Sequence, residues 1–156
     1  MVTRITRRLA PGMLVCLLAL ALTGSVMAAP TNKLVAVFNT QLRAENEVTP
    51  TPSTSVAWGS AQIKVYDDGM IAWKVKIHNP AGETFTAGHI HEGSATGTGP
   101  VRQGLFSGPT TDTQLDLRGS VMNAALASEL VADPANYYVN FHTTTNPPGA
   151  IRGQLP

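Results

Sequence analysis

Apolar and polar residues alternate most regularly between residues 61 and 78. The apolar positions recur at every second residue on both sides of a short polar segment: Ala61, Ile63, Val65, Ile71, Trp73, Val75 and Ile77. The polar segment between them is Asp67-Asp68-Gly69. A period of two gives each strand one apolar face, and an Asp-Gly step favours the tight turn of a hairpin. The pattern predicts a β-hairpin.

Similar short segments follow along the chain, separated by glycine, proline, asparagine and aspartate. They are predicted as strands at residues 34–38, 84–91, 101–106, 115–119, 137–142 and 150–155. Residues 45–55 are polar, contain two prolines, and are predicted as a loop. The single helical pattern covers residues 120–131, with Ser120 as its predicted N-cap. Many short strands and one helix predict an all-β fold, an antiparallel sandwich or barrel.

Three histidines fall in two of the predicted strands. His89 and His91 are two residues apart, so their side chains share one face of the strand at residues 84–91. His142 ends the strand at residues 137–142 and has the opposite parity to its apolar residues. If the apolar residues of both strands face the core, all three imidazoles lie on the outer side of the sheet. The sequence therefore predicts a surface transition-metal site at His89, His91 and His142.

The alternative is that these histidines only bind loop backbone. A shared ion requires imidazole nitrogens within about 3–4 Å of one another, because metal–nitrogen bonds are about 2 Å long. The fourth histidine, His78, ends a strand beside Lys74 and Lys76 and is expected to be a solvated surface residue.

The last two strands form a second predicted hairpin. Its apolar parity pairs Phe141 with Ile151 and Val139 with Gly153. This register also places His142 opposite Ala150 and Asn140 opposite Arg152. In this register Arg152 lies diagonally beside His142 on the outer face. Arg152 is thus a candidate guide for an anion that approaches a reactive metal. The alternative is a clamp that holds the terminal hairpin through backbone carbonyl groups.

The N-terminus changes the charge and the cysteine count of the folded part. Three arginines precede an apolar stretch at residues 13–22, and Val26-Met27-Ala28 supplies small or tolerated residues for cleavage, which predicts a signal peptide at residues 1–28 with cleavage after Ala29 as the alternative. Residues 29–156 carry eight basic and ten acidic residues, a net charge of −2, and no cysteine. No nucleic-acid partner, no disulfide and no membrane span are expected there. The predicted location is periplasmic or secreted; the oligomeric state stays open.

Several strings resemble the CHRD domain, which is repeated in chordin and occurs singly in exported bacterial proteins. They include Ala87-Gly88-His89-Ile90-His91, Tyr137-Tyr138-Val139-Asn140-Phe141-His142-Thr143 and Gly149-Ala150-Ile151-Arg152-Gly153-Gln154-Leu155. The resemblance implies an immunoglobulin-like β-sandwich over residues 29–156. Chordin antagonises extracellular growth factors, so the resemblance also implies an extracellular protein as a partner.

The segment 88–92 is similar to the copper-ligand strand of copper/zinc superoxide dismutases. There a His-x-His pair and a later histidine bind copper, and a nearby arginine attracts the anion; His142 and Arg152 match these roles by order. The cysteine pair and the zinc-binding histidine loop are missing. Copper is the first expected metal, with iron or zinc as alternatives. Three functions stay open: a metal-binding module, a dismutase-like enzyme that acts on a small anion, and a metal-free binding or adhesion module.

Overall fold

The computed structural model describes residues 32–48 and 52–156. The predicted signal peptide at residues 1–28 lies outside these described residues. No helix in the described ranges is long and apolar enough to cross a membrane.

Eight antiparallel strands form two four-stranded sheets. The first sheet has the order β1-β2-β3-β6, with β1 at Leu34–Leu42, β2 at Trp58–Tyr66, β3 at Met70–His78 and β6 at Gln114–Met122. The second sheet has the order β5-β4-β7-β8, with β5 at Val101–Thr110, β4 at Phe85–Glu92, β7 at Tyr137–Thr143 and β8 at Ile151–Gln154. The predicted all-β sandwich is confirmed.

Both predicted hairpins are present. In the first, Ile63 pairs with Trp73, and Gly69 turns the chain with a φ of 86°, a value that glycine adopts without strain. In the second, three of the four predicted pairs are observed: Phe141 with Ile151, Val139 with Gly153, and Asn140 with Arg152. The pairing of His142 with Ala150 is absent because β8 begins at Ile151.

The helix begins later than the sequence predicts. Helix α1 covers Ala124–Ala132, and the side chain of Asn123, not of Ser120, accepts the capping hydrogen bond from the Leu126 amide. The prediction for the start was wrong because β6 continues to Met122, where its residues still pair with β3. Tertiary strand pairing overrides local helix preference here. Two short 3₁₀ turns, at Ala44–Asn46 and Pro134–Asn136, complete the elements.

The core lies between the sheets, and burial of apolar residues in it orients the side chains of the two strands that carry the histidines. Ile90, Val139 and Phe141 are all 0% exposed and belong to this core. Gly88 packs directly on the ring of Phe141, where a Cβ atom would lie 2.2 Å from a ring carbon. The strands β4 and β7 therefore turn their apolar residues inward, and the alternate residues point to the outer face, as predicted.

Candidate metal centre

The three predicted histidines converge on the outer face of the second sheet. His89 and His91 come from β4, and His142 comes from the neighbouring strand β7. Nδ1 of His89 lies 3.1 Å from Nε2 of His142. One nitrogen from each ring can be chosen so that all three lie within 4.8 Å of one another. Neighbouring strands thus bring together side chains that are about 50 residues apart in the sequence.

Backbone carbonyl groups fix the orientation of two of the rings. Nδ1 of His91 lies 2.9 Å from the Gly99 carbonyl oxygen, and Nδ1 of His142 lies 3.0 Å from that of Pro147. A carbonyl only accepts, so each Nδ1 carries the proton and each Nε2 keeps a lone pair. Nε2 of His91 is buried and has no hydrogen-bond partner. Metal-binding histidines show the same arrangement, with the second nitrogen held by a carbonyl or carboxylate.

The loops that supply these carbonyl groups also cover the site. His91 is only 8% exposed, and His89 and His142 are partly buried, so the site is less open than the surface site that the sequence predicts. Burial lowers the pKa of all three imidazoles. The pKa of His89 falls to about 4, first through burial and then through the nearby His142 and His91. The rings are therefore neutral near pH 7, which is the form that binds a metal ion.

Arg152 lies on the same outer face and holds the loop above His91. Its guanidinium group donates to the carbonyl oxygens of Gly97 at 2.9 Å and Ser94 at 2.7 Å, and to Oε1 of Gln154 at 3.1 Å. Arg152 is only 1% exposed. These contacts match the clamp alternative, since the donors that an anion guide would offer are bound to the protein itself.

A stack of side chains connects this arginine to the site. Cζ of Arg152 lies 3.5 Å from the centroid of the Tyr138 ring. The Tyr138 ring also stacks on the His91 ring, at 5.0 Å between centroids and with an angle of 10° between the planes. The Tyr138 hydroxyl accepts from the Gly99 amide, and Gly99 in turn binds His91. Arg152 thus packs on Tyr138, and Tyr138 in turn stacks on the His91 ring and binds the residue that holds its Nδ1.

A carboxyl group that the sequence did not single out lies beside the site. Nδ2 of Asn140 donates to Oε2 of Glu47 at 3.2 Å, and Asn140 pairs with His89 across the sheet. Burial raises the pKa of Glu47 to about 7, against the smaller opposing effects of Asn140 and Arg152. The alternation of inward and outward residues along β7 places Asn140 on the same outer face as the histidines. No local pattern in the sequence indicates that residues 44–48 fold over it.

Replacing Glu47 with glutamine should stabilise the protein at neutral and alkaline pH. The pKa of Glu47 is about 7 in the folded chain against an ordinary value of 4.5. The folded state therefore binds the proton more tightly, and the wild type loses stability as the pH rises from about 4.5 to about 7. Glutamine cannot ionise, so the stability difference in favour of Glu47→Gln should grow across this range and level off above it. Urea unfolding at pH 4.5 and pH 8 measures this difference.

The matched control is Glu45→Gln, at an exposed position two residues away. Its free energy of unfolding relative to the wild type should be the same at the two pH values. The histidines are present in all three proteins, so their titration cancels in the comparison. A Glu47→Gln difference that is the same at pH 4.5 and pH 8 would contradict the raised pKa.

The comparison with protein families agrees with this architecture. The family model described as the CHRD domain matches residues 38–155. The chain belongs to the CHRD-domain family. No curated protein and no solved structure matches it. The matched residues of the CHRD domain include the three histidines, Arg152 and Glu47, so the whole candidate site lies inside the family's region of the chain.

Proposed function

We propose that this CHRD-domain protein is exported and binds one transition-metal ion through His89, His91 and His142. The observation that carries the proposal is the buried Nε2 of His91, which has no partner while its Nδ1 is held by a carbonyl. An unpaired buried nitrogen costs free energy unless a ligand satisfies it. An ion bound to Nε2 of His91, Nε2 of His142 and Nδ1 of His89 would give each of the three nitrogens that face one another a ligand bond.

The spacing of the nitrogens requires only a small adjustment. Bonds of about 2.0–2.1 Å at tetrahedral or trigonal angles place ligand nitrogens about 3.3–3.6 Å apart. His89 and His142 already lie at 3.1 Å, and the widest separation in the group is 4.8 Å. This separation exceeds the required range by about 1 Å, a distance that rotation of the His91 side chain can supply. The Nδ1 proton that His89 shares with His142 would leave when the ion binds.

The ligand set favours copper, with iron and zinc as the alternatives. Three neutral imidazoles and no thiolate suit all three metals, and copper binds such sites most strongly among common divalent ions. Three protein ligands also leave a coordination position open, as in reactive rather than structural sites. A water molecule or a small anion would take that position.

Metal analysis of the exported protein tests the proposal. Protein purified from the periplasm of an expressing bacterium should begin at Ala29 and retain about one metal ion per chain. A chain in which His89, His91 and His142 are all replaced by alanine should retain none after the same purification. If both proteins carry equal amounts of metal, or neither binds added copper, the metal-binding function is wrong.

The open coordination position supports a second candidate, dismutation of superoxide. The copper- or iron-loaded protein would then accelerate dismutation beyond the same amount of metal with unfolded protein. A rate no higher than this control would exclude the enzyme. If metal binding also fails, the metal-free alternative takes its place, in which the CHRD domain binds an extracellular protein.

A further inference from the structure

Half of the basic residues in the described chain lie on one face of the sandwich. The outer side of the first sheet carries Lys64 from β2, Lys74 and Lys76 from β3, and Arg118 from β6. Along each strand these residues alternate with residues that face the core, so all four side chains lie on the same outer face. We call it the basic face. Asp116 is the single carboxylate among the described residues of the same face.

The charge of the molecule is therefore strongly divided. The basic face has a net charge of +3, from four cations and Asp116. The rest of the described chain contains four basic and nine acidic residues, a net charge of −5. A division of this size creates a field that directs one face toward a negatively charged partner.

The pairing on the basic face is unfavourable for folding by itself. Lys74 and Arg118 are direct cross-strand partners, an arrangement in which like charges repel. Arg118 turns to Asp116, whose carboxylate oxygen accepts from its Nε at 3.2 Å, and Asp116 is also the cross-strand partner of Lys76. Apart from Asp116, the described residues of this face offer no carboxylate with which Lys64 and Lys74 could pair. A local arrangement that opposes stability is expected where function requires it.

Two adjoining clefts lie between these cations. One has a volume of about 210 Å³ and lies between Lys64, Lys74 and Arg118. The other, of about 370 Å³, lies beside Lys74 and Lys76. Polar uncharged residues also line the second cleft: Asn39, Thr40, Gln41, Ser60 and Gln62. Lys74 and Gln62 line both clefts, so cations and hydrogen-bonding amides form one continuous strip.

We propose that the basic face binds an acidic polysaccharide. Lysine and arginine would pair with its carboxylate or sulfate groups, and the amide and hydroxyl side chains would bind its sugar hydroxyl groups. A four-stranded sheet is too broad for the major groove of DNA, which admits a helix or a two-stranded ribbon. The exposed apolar side chains of this face, Trp58, Val37 and Met122, form no continuous patch with which a protein enters a membrane interface, because Trp58 and Met122 lie at opposite ends of the sheet.

This site is independent of the metal centre. The histidines lie on the outer face of the second sheet, and the hydrophobic core separates the two faces. Polysaccharide binding therefore survives in a chain without the three histidines, and metal binding survives in a chain with a neutralised basic face. The two proposals fail separately.

Affinity measurements with defined polymers test the proposal. Polygalacturonate and dextran sulfate serve as acidic probes, and unmodified dextran serves as the uncharged control. At 50 mM salt the wild type should bind both acidic polymers but not dextran. The double variant Lys74→Gln/Lys76→Gln should lose at least about tenfold in affinity, and the dependence of log affinity on log salt should become shallower by about one to two units.

The matched control is Lys33→Gln, which removes one positive charge outside the basic face and should change affinity less than about twofold. Lys64→Gln is a second variant within the face and should also weaken binding. It replaces the double variant in the test if the double variant folds poorly. Equal binding of wild type and both face variants would overturn the proposal. So would equal or tighter binding to random-sequence duplex DNA or to phosphatidylglycerol vesicles at the same salt. Self-association that the face variants abolish would instead assign the face to a second copy of this chain, and would also overturn it.

Discussion

In the variant His91→Ala, the affinity for copper should fall by more than about 100-fold. Loss of a group that only orients a metal ligand costs 10–100-fold, and loss of the ligand itself costs more. His91 combines both effects, because its Nε2 is the unpartnered nitrogen and its Nδ1 holds the Gly99 carbonyl. Competition titration against a copper-binding dye measures the affinity. The Cu²⁺ electron paramagnetic resonance spectrum should lose the splitting from one nitrogen.

His78→Ala is the matched control for this experiment. His78 stacks on Trp58 at 4.0 Å, at an end of the first sheet, and does not belong to the group of three histidines. Its removal should leave both the copper affinity and the spectrum unchanged. Similar losses in His78→Ala and His91→Ala would mean that copper binds histidines without a defined site.

In the variant Arg152→Met, the free energy of unfolding should fall by about 3 kcal/mol. The substitution removes the buried guanidinium group and its hydrogen bonds to the carbonyl oxygens of Gly97 and Ser94, of which the Ser94 oxygen keeps the Gly97 amide as a donor. A hydrogen bond from a charged donor contributes about 1.5–3 kcal/mol, and the lost contact with the Tyr138 ring adds to this. For a domain of this size the melting temperature should fall by about 10 °C. Denaturant unfolding and calorimetry measure both quantities.

The same variant distinguishes a clamp from an anion guide. A clamp acts through the loop that carries Gly99, so its loss should also weaken copper binding by about tenfold. An anion guide would leave stability and copper affinity unchanged and would alter only the salt dependence of a reaction with an anion. Arg118→Met is the control, since the Arg118 side chain is 65% exposed and pairs with Asp116. It should change stability by no more than about 0.5 kcal/mol.

The strands and the faces of their side chains could be predicted from the sequence. Apolar residues recur at every second position in the hairpin around Gly69. Only one pairing register keeps all of them on the buried face, because a slip of one residue would turn them to solvent. For the same reason His89 and His91 were assigned to one face, and the pairing of Asn140 with Arg152 followed from the apolar parity of β7 and β8. These features depend on neighbours in sequence, or on the single requirement that apolar residues face the core.

The features that only the tertiary structure decided depend on segments far apart in sequence. Ser120 carries a helix-capping side chain, but it pairs with Ala72 as part of β6. The loop at Gly99 and the turn at Pro147 determine the tautomers of the histidines, and no local pattern shows where those carbonyls point. The burial of Arg152, like the approach of Glu47 to Asn140, results from the packing of loops over the second sheet. Alternation along a strand determines which residues leave the core together, whereas their burial, protonation and partners depend on what the folded chain places above them.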